Sequence, residues 1–256
     1  MCYTIPCMDD DLCKYIVQFY KALGIGIFFD NVSFPTECIC INKELVIDPI
    51  KITKNEKPVT FTNNIKNIEQ YNSNPALVQL LQEINNIDCL IRHTARNTVI
   101  FDGDIHSNVM IIGEAPGQEE DIQCKPFVGQ SGILLNNMLR AIGLSRETVI
   151  ISNIVFWRPP FNRTPSTDEI SLCLPYVKRL IGIVKPKVLL LLGSVSNHAL
   201  LNTIAPMSKL RGTINNILGI KTVSTYHPAY LLRSSSQKKY AFYDFLLLKH
   251  IISEFI

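Results

Sequence analysis

The sequence predicts an α/β protein, built as a three-layer αβα sandwich around a central, mainly parallel sheet of four strands. From residue 108 onward, short apolar runs alternate with longer segments whose apolar residues recur at helical spacing. Such alternation is typical of parallel strands joined by crossover helices on both faces of a sheet. One run, Lys187–Gly193, is apolar at nearly every position, as expected for a strand that is covered on both sides.

Each predicted element has a local signal. Val109–Gly113 is predicted as a strand because its apolar run is short, β-branched and closed by glycine. Thr167 is the predicted N-cap of a helix, ahead of two acidic residues that suit a helix N-terminus. The other predicted strands are Thr148–Asn153, Lys187–Gly193 and Ile220–Thr225, and the predicted helices are Pro75–Ile87, Gly132–Ile142, Thr167–Val184, Ser194–Asn202 and Gln237–Phe255.

The first third of the chain differs from the rest in composition and in the periodicity of its apolar residues. Residues 11–30 carry apolar positions at helical spacing, and residues 51–74 are rich in Asn, Lys, Thr and Ile without clear periodicity. We therefore predict an N-terminal extension over residues 1–80, with a short helix and a polar linker, followed by a catalytic domain over residues 81–256.

Composition and charge restrict the class of protein only loosely. The chain has 256 residues, 47% of them hydrophobic and 18% charged, as in an ordinary soluble globule. Its net charge of +3 neither requires nor excludes a nucleic-acid partner. The N-terminus lacks a secretory signal, the apolar runs are too short to span a bilayer, and the eight cysteines are typical of reduced thiols. We expect a cytoplasmic protein without a membrane partner, and a monomer.

Polar residues stand at the ends of three predicted strands. Glu114 follows the first strand, Asn153 ends the second, and His227 follows the last. Because ligands of open α/β sheets bind at the carboxyl ends of the strands, these three side chains are expected to meet in one crevice. A carboxylate, an amide and an imidazole are suited to activating water, reading the edge of a base and supporting a leaving group.

Each of these residues also has a structural explanation. A glutamate in a turn is usually solvated, an asparagine at a strand end often caps the backbone, and a histidine before proline is a common turn residue. Phe127 is explained equally well as core packing. The joint placement at successive strand ends is what favours a functional site.

Three motifs, in order, resemble the family 4 (thermostable-type) uracil-DNA glycosylases. They are GEAPGQEED followed by KPFVGQSG, then SNIVFWRPPFNRTP, then STYHPAYLLR. The version with WRPP and NRTP is similar to an alphaproteobacterial branch of that family. The resemblance extends from about Cys89 to the C-terminal helix.

The resemblance implies a DNA repair hydrolase that flips uracil out of DNA and cleaves its glycosidic bond, leaving an abasic site. Asn153 and Gly113 would form the uracil pocket, Phe127 would stack on the ring, and Glu114 would position or activate the attacking water. His227 would donate a hydrogen bond to a uracil oxygen as negative charge develops on the leaving base.

The same resemblance implies a set of DNA contacts around the pocket. Leu231 or Leu232 would be the apolar wedge that fills the vacated stack. Arg158, Arg163 and Arg233 would contact phosphates of uracil-containing DNA, single- or double-stranded.

The sequence departs from the family at a metal site. Such enzymes typically hold a 4Fe–4S cluster on four cysteines, and four thiolates are the usual requirement for one. Here Cys89 and Cys173 stand at two of those positions, while Arg92 and Trp157 occupy the other two. We therefore expect no conventional cluster and no other cofactor.

Two alternative functions remain open at this point. One is a protein of the same fold that binds DNA or abasic sites without efficient turnover, which the loss of two cysteines favours and the presence of Glu114, Asn153 and His227 opposes. The other is a phosphate cradle at the GEAPG turn, which lacks both a P-loop lysine–serine pair and the G-x-G-x-x-G spacing.

Overall fold

The computed structural model describes residues 74–255. The strands are β1 (Phe101–Gly103), β2 (Val109–Gly113), β3 (Ile150–Asn153), β4 (Val188–Leu192), β5 (Ile214–Ile217) and β6 (Ile220–Thr225). The helices are α1 (Pro75–Asn85), α2 (Leu90–Thr94), α3 (Gln118–Gln123), α4 (Gln130–Ala141), α5 (Thr167–Val184), α6 (Gly193–Leu201), α7 (Met207–Leu210), α8 (Pro228–Arg233) and α9 (Lys238–Ser253).

The strands form one six-stranded sheet in the order β1-β3-β2-β4-β6-β5. The four inner strands are the four that the sequence predicts, and they pair in parallel: β2 lies between β3 and β4, and β4 pairs with β6. Their carboxyl ends lie in register, with Gly113 opposite Asn153 and Leu192 opposite Thr225. The predicted α/β class is confirmed.

Two antiparallel edge strands enlarge the predicted four-stranded sheet to six. The β1 strand has only three residues, too few to show alternation, and pairs with β3. The β5 strand reads INNI, and its two asparagines are poor strand formers. It pairs with β6 through a two-residue hairpin turn whose residues, Leu218 and Gly219, both have positive φ.

A hydrophobic core lies on each face of the sheet, which gives the three predicted layers. Along β2, Val109 and Ile111 point into the core beneath α4 and α9, whereas Met110 and Ile112 point into the core beneath α1 and α5. All five residues of β2 are buried, as are all five of β4. This double coverage explains why these strands read as continuous apolar runs.

The described domain begins earlier than the predicted boundary at residue 80, which falls inside α1. Leu77, Leu80, Leu81 and Ile84 of this helix are at most 1% exposed and belong to the core. Asn74 caps the helix, since its side-chain Oδ1 accepts a hydrogen bond of 3.1 Å from the Leu77 amide. The helix predicted within residues 11–30 and most of the predicted polar linker lie outside the described residues.

The helix α5 has the predicted bounds but a different cap. Ser166, not Thr167, is the N-cap: its hydroxyl accepts from the Glu169 amide at 3.2 Å, and the Glu169 carboxylate accepts from the Ser166 amide at 2.8 Å. This reciprocal pair is a capping box, and it places Thr167 in the first turn. In residues 74–255, no helix is both long enough and apolar enough to cross a bilayer.

Candidate active site

A cleft of about 660 Å³ opens at the carboxyl ends of the inner strands. It lies between the turn after β2, the proline-rich loop after β3 and the segment that leads from β6 into α8. Its lining comprises Glu114 to Gly117, Pro159, Asn162 to Thr164, Gly193, Ser194, Met207, Ser208, Tyr226, His227, Ala229, Tyr230 and Arg233. Of the three side chains expected to meet at the strand ends, Glu114 and His227 line this cleft, whereas Asn153, at the end of β3, is not among its lining residues.

Gly113, Asn153 and Phe127 meet at the end of β2. A Cβ atom added at Gly113 would lie 2.5 Å from Asn153 Oδ1 and 2.5 Å from Phe127 Cζ. No real side chain tolerates such distances, so glycine is required by close approach rather than by backbone conformation. Phe127 is 5% exposed and Asn153 is 1% exposed.

The side-chain Oδ1 of Asn153 is a buried acceptor without a hydrogen-bond partner. Leaving such a group unpaired costs on the order of 1–3 kcal/mol. A ligand that presents an N–H to Oδ1 would recover that cost, because the acceptor is already desolvated. This unpaired oxygen is the feature of the site that points most directly to a polar ring.

Phe127 is held in a strained conformation beside His227. Its φ is +53°, in the left-handed region that bulky side chains rarely adopt. Its ring centroid lies 5.5 Å from that of His227, with an angle of 34° between the planes. Strain of this kind persists only where surrounding contacts impose it.

Glu120 supplies one set of those contacts. Its Oε1 accepts hydrogen bonds of 2.9 Å from the amides of Val128 and Gly129, and its Oε2 accepts one of 3.1 Å from the Gly117 amide. One carboxylate thus ties the turn after β2 to the loop that carries Phe127. This role of Glu120 is not among those predicted from the sequence, although a Glu at the third position of a helix that follows Gly117 is a capping signal.

Arg146 supplies a second set of contacts that hold Phe127 in its strained conformation. Its Nη1 donates to the Phe127 carbonyl oxygen at 2.8 Å, and its Nη2 donates to the Pro126 carbonyl oxygen. Asp102 on β1 orients the guanidinium, accepting from Nε at 2.5 Å. No local pattern announces this arrangement, because Arg146 and Asp102 are 44 residues apart.

The ring of His227 has a fixed tautomer. Its Nδ1 accepts a hydrogen bond of 3.2 Å from the Ala229 amide and so caps α8. The proton of the neutral ring must therefore reside on Nε2. Burial, with a smaller contribution from the positive charge of Arg233, lowers the pKa of His227 to about 4. At neutral pH this residue is an uncharged Nε2–H donor.

The Glu114 carboxylate is half-buried at the floor of the cleft. Burial raises its pKa above the ordinary glutamate value, because the ionised form loses solvation. Once ionised, a poorly solvated carboxylate of this kind is a strong hydrogen-bond acceptor for water. The cleft is therefore lined by a half-buried carboxyl group and by a neutral imidazole that can donate a hydrogen bond.

Among the residues predicted to contact DNA, one is buried in the core and others are exposed. The segment after His227 is the helix α8, and it turns Leu231 inward to the core, where it is 0% exposed. This corrects the prediction for Leu231, which is not available as a wedge. Leu232, one position on, is 47% exposed. Arg233 is exposed and lines the cleft.

Arg158 and Arg163 lie on the proline-rich loop, and both are engaged there. Arg163 forms a two-pronged ion pair with Glu169, at 2.6 and 2.8 Å, which raises the pKa of the arginine. Arg158 donates from Nε to Asn162 Oδ1 at 2.7 Å. Both arginines therefore also stabilise the loop itself.

The residues at the family's cluster positions do not fit a four-thiolate cluster. Burial raises the pKa of the Cys89 thiol, and raises that of Cys173 to about 12, so both stay protonated. Arg92 donates from Nη1 to the Ile87 carbonyl oxygen at 2.9 Å, and its Nε is buried without a partner. Trp157 is 0% exposed and its indole N–H donates to Thr98 Oγ1 at 3.0 Å, so it fills core space. Residues 74–255 contain no group of three or more His, Cys, Asp or Glu side chains arranged to hold a metal ion.

Comparisons with known proteins agree with this geometry. A family model described as the uracil DNA glycosylase superfamily matches residues 100–249, from the end of the segment before β1 into α9. The chain therefore belongs to the uracil-DNA glycosylase superfamily.

Its relatives within that superfamily include several type-4 enzymes. A type-4 uracil-DNA glycosylase from Pyrobaculum aerophilum is 39% identical over 166 residues, which cover 61% of this chain and 85% of the relative. One from Saccharolobus solfataricus is 40% identical over 174 residues, covering 64% and 81%. One from Thermotoga maritima is 37% identical over 152 residues, covering 59% and 79%.

Proposed function

We propose that this chain is a uracil-DNA glycosylase of base excision repair, which hydrolyses the bond between uracil and deoxyribose in DNA and leaves an abasic site. The observation that carries this proposal is the buried, unpaired Oδ1 of Asn153, set against Gly113 and Phe127 at the end of β2. The names of the type-4 relatives support the same substrate.

Asn153 would read the edge of a uracil that has been flipped out of the stack. Its Oδ1 would accept from the ring N3–H and its amide would donate to O4. Cytosine presents the opposite pattern, an acceptor at N3 and a donor at N4, and would leave the buried amide mismatched on both atoms. Selectivity of this kind is strong because a buried polar group without a partner is costly.

Phe127 and Gly113 would form the walls of the same pocket. The absence of a side chain at Gly113 leaves room for the Phe127 ring beside Asn153. The Phe127 ring would stack on the flat face of uracil, which every base offers and which gives affinity without reading its edge.

His227 would stabilise the leaving base. As the glycosidic bond breaks, its electron pair moves to uracil N1 and negative charge spreads to O2. The Nε2–H of the neutral imidazole would donate to that oxygen, with no protonated form needed because the pKa of His227 is about 4.

Glu114 would act on the sugar side of the bond. Its ionised carboxylate would accept a proton from the attacking water as the water oxygen bonds to C1′, and it would stabilise the oxocarbenium-like sugar. Uracil leaves as an anion and takes up a proton in solvent. The products are free uracil and a hydroxyl at C1′.

The outer rim would hold the extrahelical strand. The half-exposed Leu232 would be the wedge in the vacated stack, and the exposed Arg233 would contact phosphate. Arg158 and Arg163 would contribute a positive rim to the proline-rich loop. We propose that the enzyme works as a monomer in the cytoplasm and without a metal cofactor; Arg92 and Trp157, at two of the four family cysteine positions, support the last point.

The test is excision from single- and double-stranded oligonucleotides that contain one uracil, with alkaline cleavage of the abasic product. We expect product from the wild-type protein, and a loss of about 100-fold or more in the Asn153→Ala variant, as for removal of a group that contacts the reacting base. Asn215→Ala, on the edge strand β5, is the matched control and should behave as wild type. Tight binding to abasic DNA without any product at stoichiometric protein would favour the alternative of a binding protein.

A further inference from the structure

Phe161 is an aromatic side chain held almost fully in solvent at the rim of the cleft. It is 98% exposed, whereas the residues on both sides of it in the chain, Pro159, Asn162 and Arg163, line the cleft. Single exposed apolar residues are common on proteins and need no explanation by themselves. Phe161 differs because of its backbone and its surroundings.

The backbone of Phe161 is strained. Its φ and ψ are +56° and +22°, and the next residue, Asn162, has a φ of +55°. Glycine or asparagine tolerates this left-handed region, but a bulky residue such as phenylalanine rarely occupies it. The backbone is therefore strained at a position where burial of the side chain contributes almost no stabilisation. Strained residues of this kind cluster at functional sites.

The loop that carries Phe161 is firmly braced. Pro159 and Pro160 restrict the chain before it, and the Asn162 amide donates to the Pro159 carbonyl oxygen at 3.0 Å. On the far side, Arg163 donates to the Thr164 carbonyl oxygen at 3.0 Å and pairs with Glu169 of α5. The backbone that carries the aromatic ring is thus held on both sides of Phe161.

The charge around Phe161 suits a polyanionic strand. Arg158 is bonded through Nε to the neutral amide of Asn162, directly beside Phe161. Arg233 lines the same cleft. Positive charge that tracks a phosphate backbone, together with an aromatic face, is the combination by which proteins bind single-stranded nucleic acid.

We propose that Phe161 stacks on an unpaired nucleobase of the substrate strand that neighbours the flipped uracil. This inference rests on the proposed function, since it assigns a second aromatic contact to the same DNA-binding cleft. It places an unpaired flanking base against the proline-rich loop, across the cleft from the wedge on α8. The contact requires an exposed base face, so it acts mainly on single-stranded DNA.

The test uses Phe161→Gly, which removes the ring and relieves the strained φ. Binding is measured by fluorescence anisotropy with a labelled single strand that carries one tetrahydrofuran abasic analogue, which the enzyme cannot turn over. We expect the Kd of the variant to rise about tenfold, the loss typical of one base–aromatic stack. Its melting temperature should equal or exceed that of wild type, because the strain is gone. Phe161→Trp should retain tight binding.

Leu218→Gly is the matched control, since Leu218 is 61% exposed with a φ of +53° in the β5–β6 turn, away from the cleft. The melting temperature of Leu218→Gly should also equal or exceed that of wild type, and its Kd should be unchanged. A Phe161→Gly protein that binds the single strand as tightly as wild type would overturn the inference, as would an equal weakening in Leu218→Gly. Uracil excision by wild type is measured in parallel, so failure of the proposed function is seen as absence of product and is distinct from either result.

Discussion

Arg146 Nη1 donates a hydrogen bond of 2.8 Å to the backbone carbonyl oxygen of Phe127. The Phe127 ring lies beside Gly113, and Arg146 contacts the backbone of Phe127. The same guanidinium contacts the Pro126 carbonyl oxygen and is oriented by Asp102. Phe127 keeps a left-handed φ of +53° under these contacts. The geometry around Gly113, Asn153 and Phe127 thus depends on an arginine that lies behind Phe127.

Replacing Arg146 should loosen that wall. Arg146→Lys keeps a positive charge near Asp102 but cannot reach both carbonyl oxygens, because an ammonium lacks the planar fork. We expect kcat/KM for uracil excision to fall about tenfold, as for loss of a charged hydrogen bond. Steady-state kinetics measure this. Arg140→Lys, on the exposed face of α4, is the control, and equal kinetics of the two variants would contradict the prediction.

Glu114→Gln should separate activity from stability. As a general base, Glu114 contributes about 100-fold or more to kcat, so the variant should lose at least that factor. Wild-type kcat should fall as pH drops through the raised pKa of Glu114, above the range where an ordinary glutamate titrates. The variant should lack this acid limb, and a wild-type-like pH profile in Glu114→Gln would refute the assignment.

The stability of the same variant has a defined pH dependence. A carboxyl whose pKa is raised by folding favours the folded state while protonated, and that advantage is lost as pH rises through the folded pKa. Glu114→Gln should therefore melt at a higher temperature than wild type at pH 7 to 8. The difference should shrink toward zero below the unfolded glutamate pKa of about 4.3. Calorimetry across pH measures it.

Gly113→Ala should damage the pocket directly. The new methyl group would lie 2.5 Å from both Asn153 Oδ1 and Phe127 Cζ, so one of them must move. We expect a stability loss of about 1–3 kcal/mol from overpacking, together with a fall in uracil excision. Gly182→Ala is the control, because nothing lies within 4 Å of its added Cβ on α5. That change should stabilise the helix by about 1 kcal/mol.

Substitutions of Trp157 and Cys173 test the proposal that this chain does not form the iron–sulfur cluster of its family. Trp157→Ala should cost about 3–5 kcal/mol of unfolding free energy, as for a large buried aromatic side chain. Cys173→Ala should retain excision activity, and protein purified without oxygen should show no visible iron–sulfur absorption band. About four iron atoms per chain, lost together with activity in Cys173→Ala, would show that a cluster forms.

The sequence by itself determined the inner sheet and the positions of the strand-end residues. Apolar runs such as Val188–Leu192 specify their own burial, and register between parallel strands then brings Gly113 opposite Asn153. The capping box of Ser166 and Glu169 is likewise a local signal, within reach of a sequence pattern.

Tertiary structure alone decided how those residues are held. The bond from Arg146 to Asp102 joins positions 44 residues apart, and no local pattern encodes such a contact. The burial of Leu231 and the exposure of Leu232 depend on how the short helix α8 packs on the core. The strain at Phe127 depends on a loop that Glu120 and Arg146 hold from other parts of the chain. Local periodicity therefore predicts which residues approach the cleft, whereas long-range packing sets the conformation in which each one arrives.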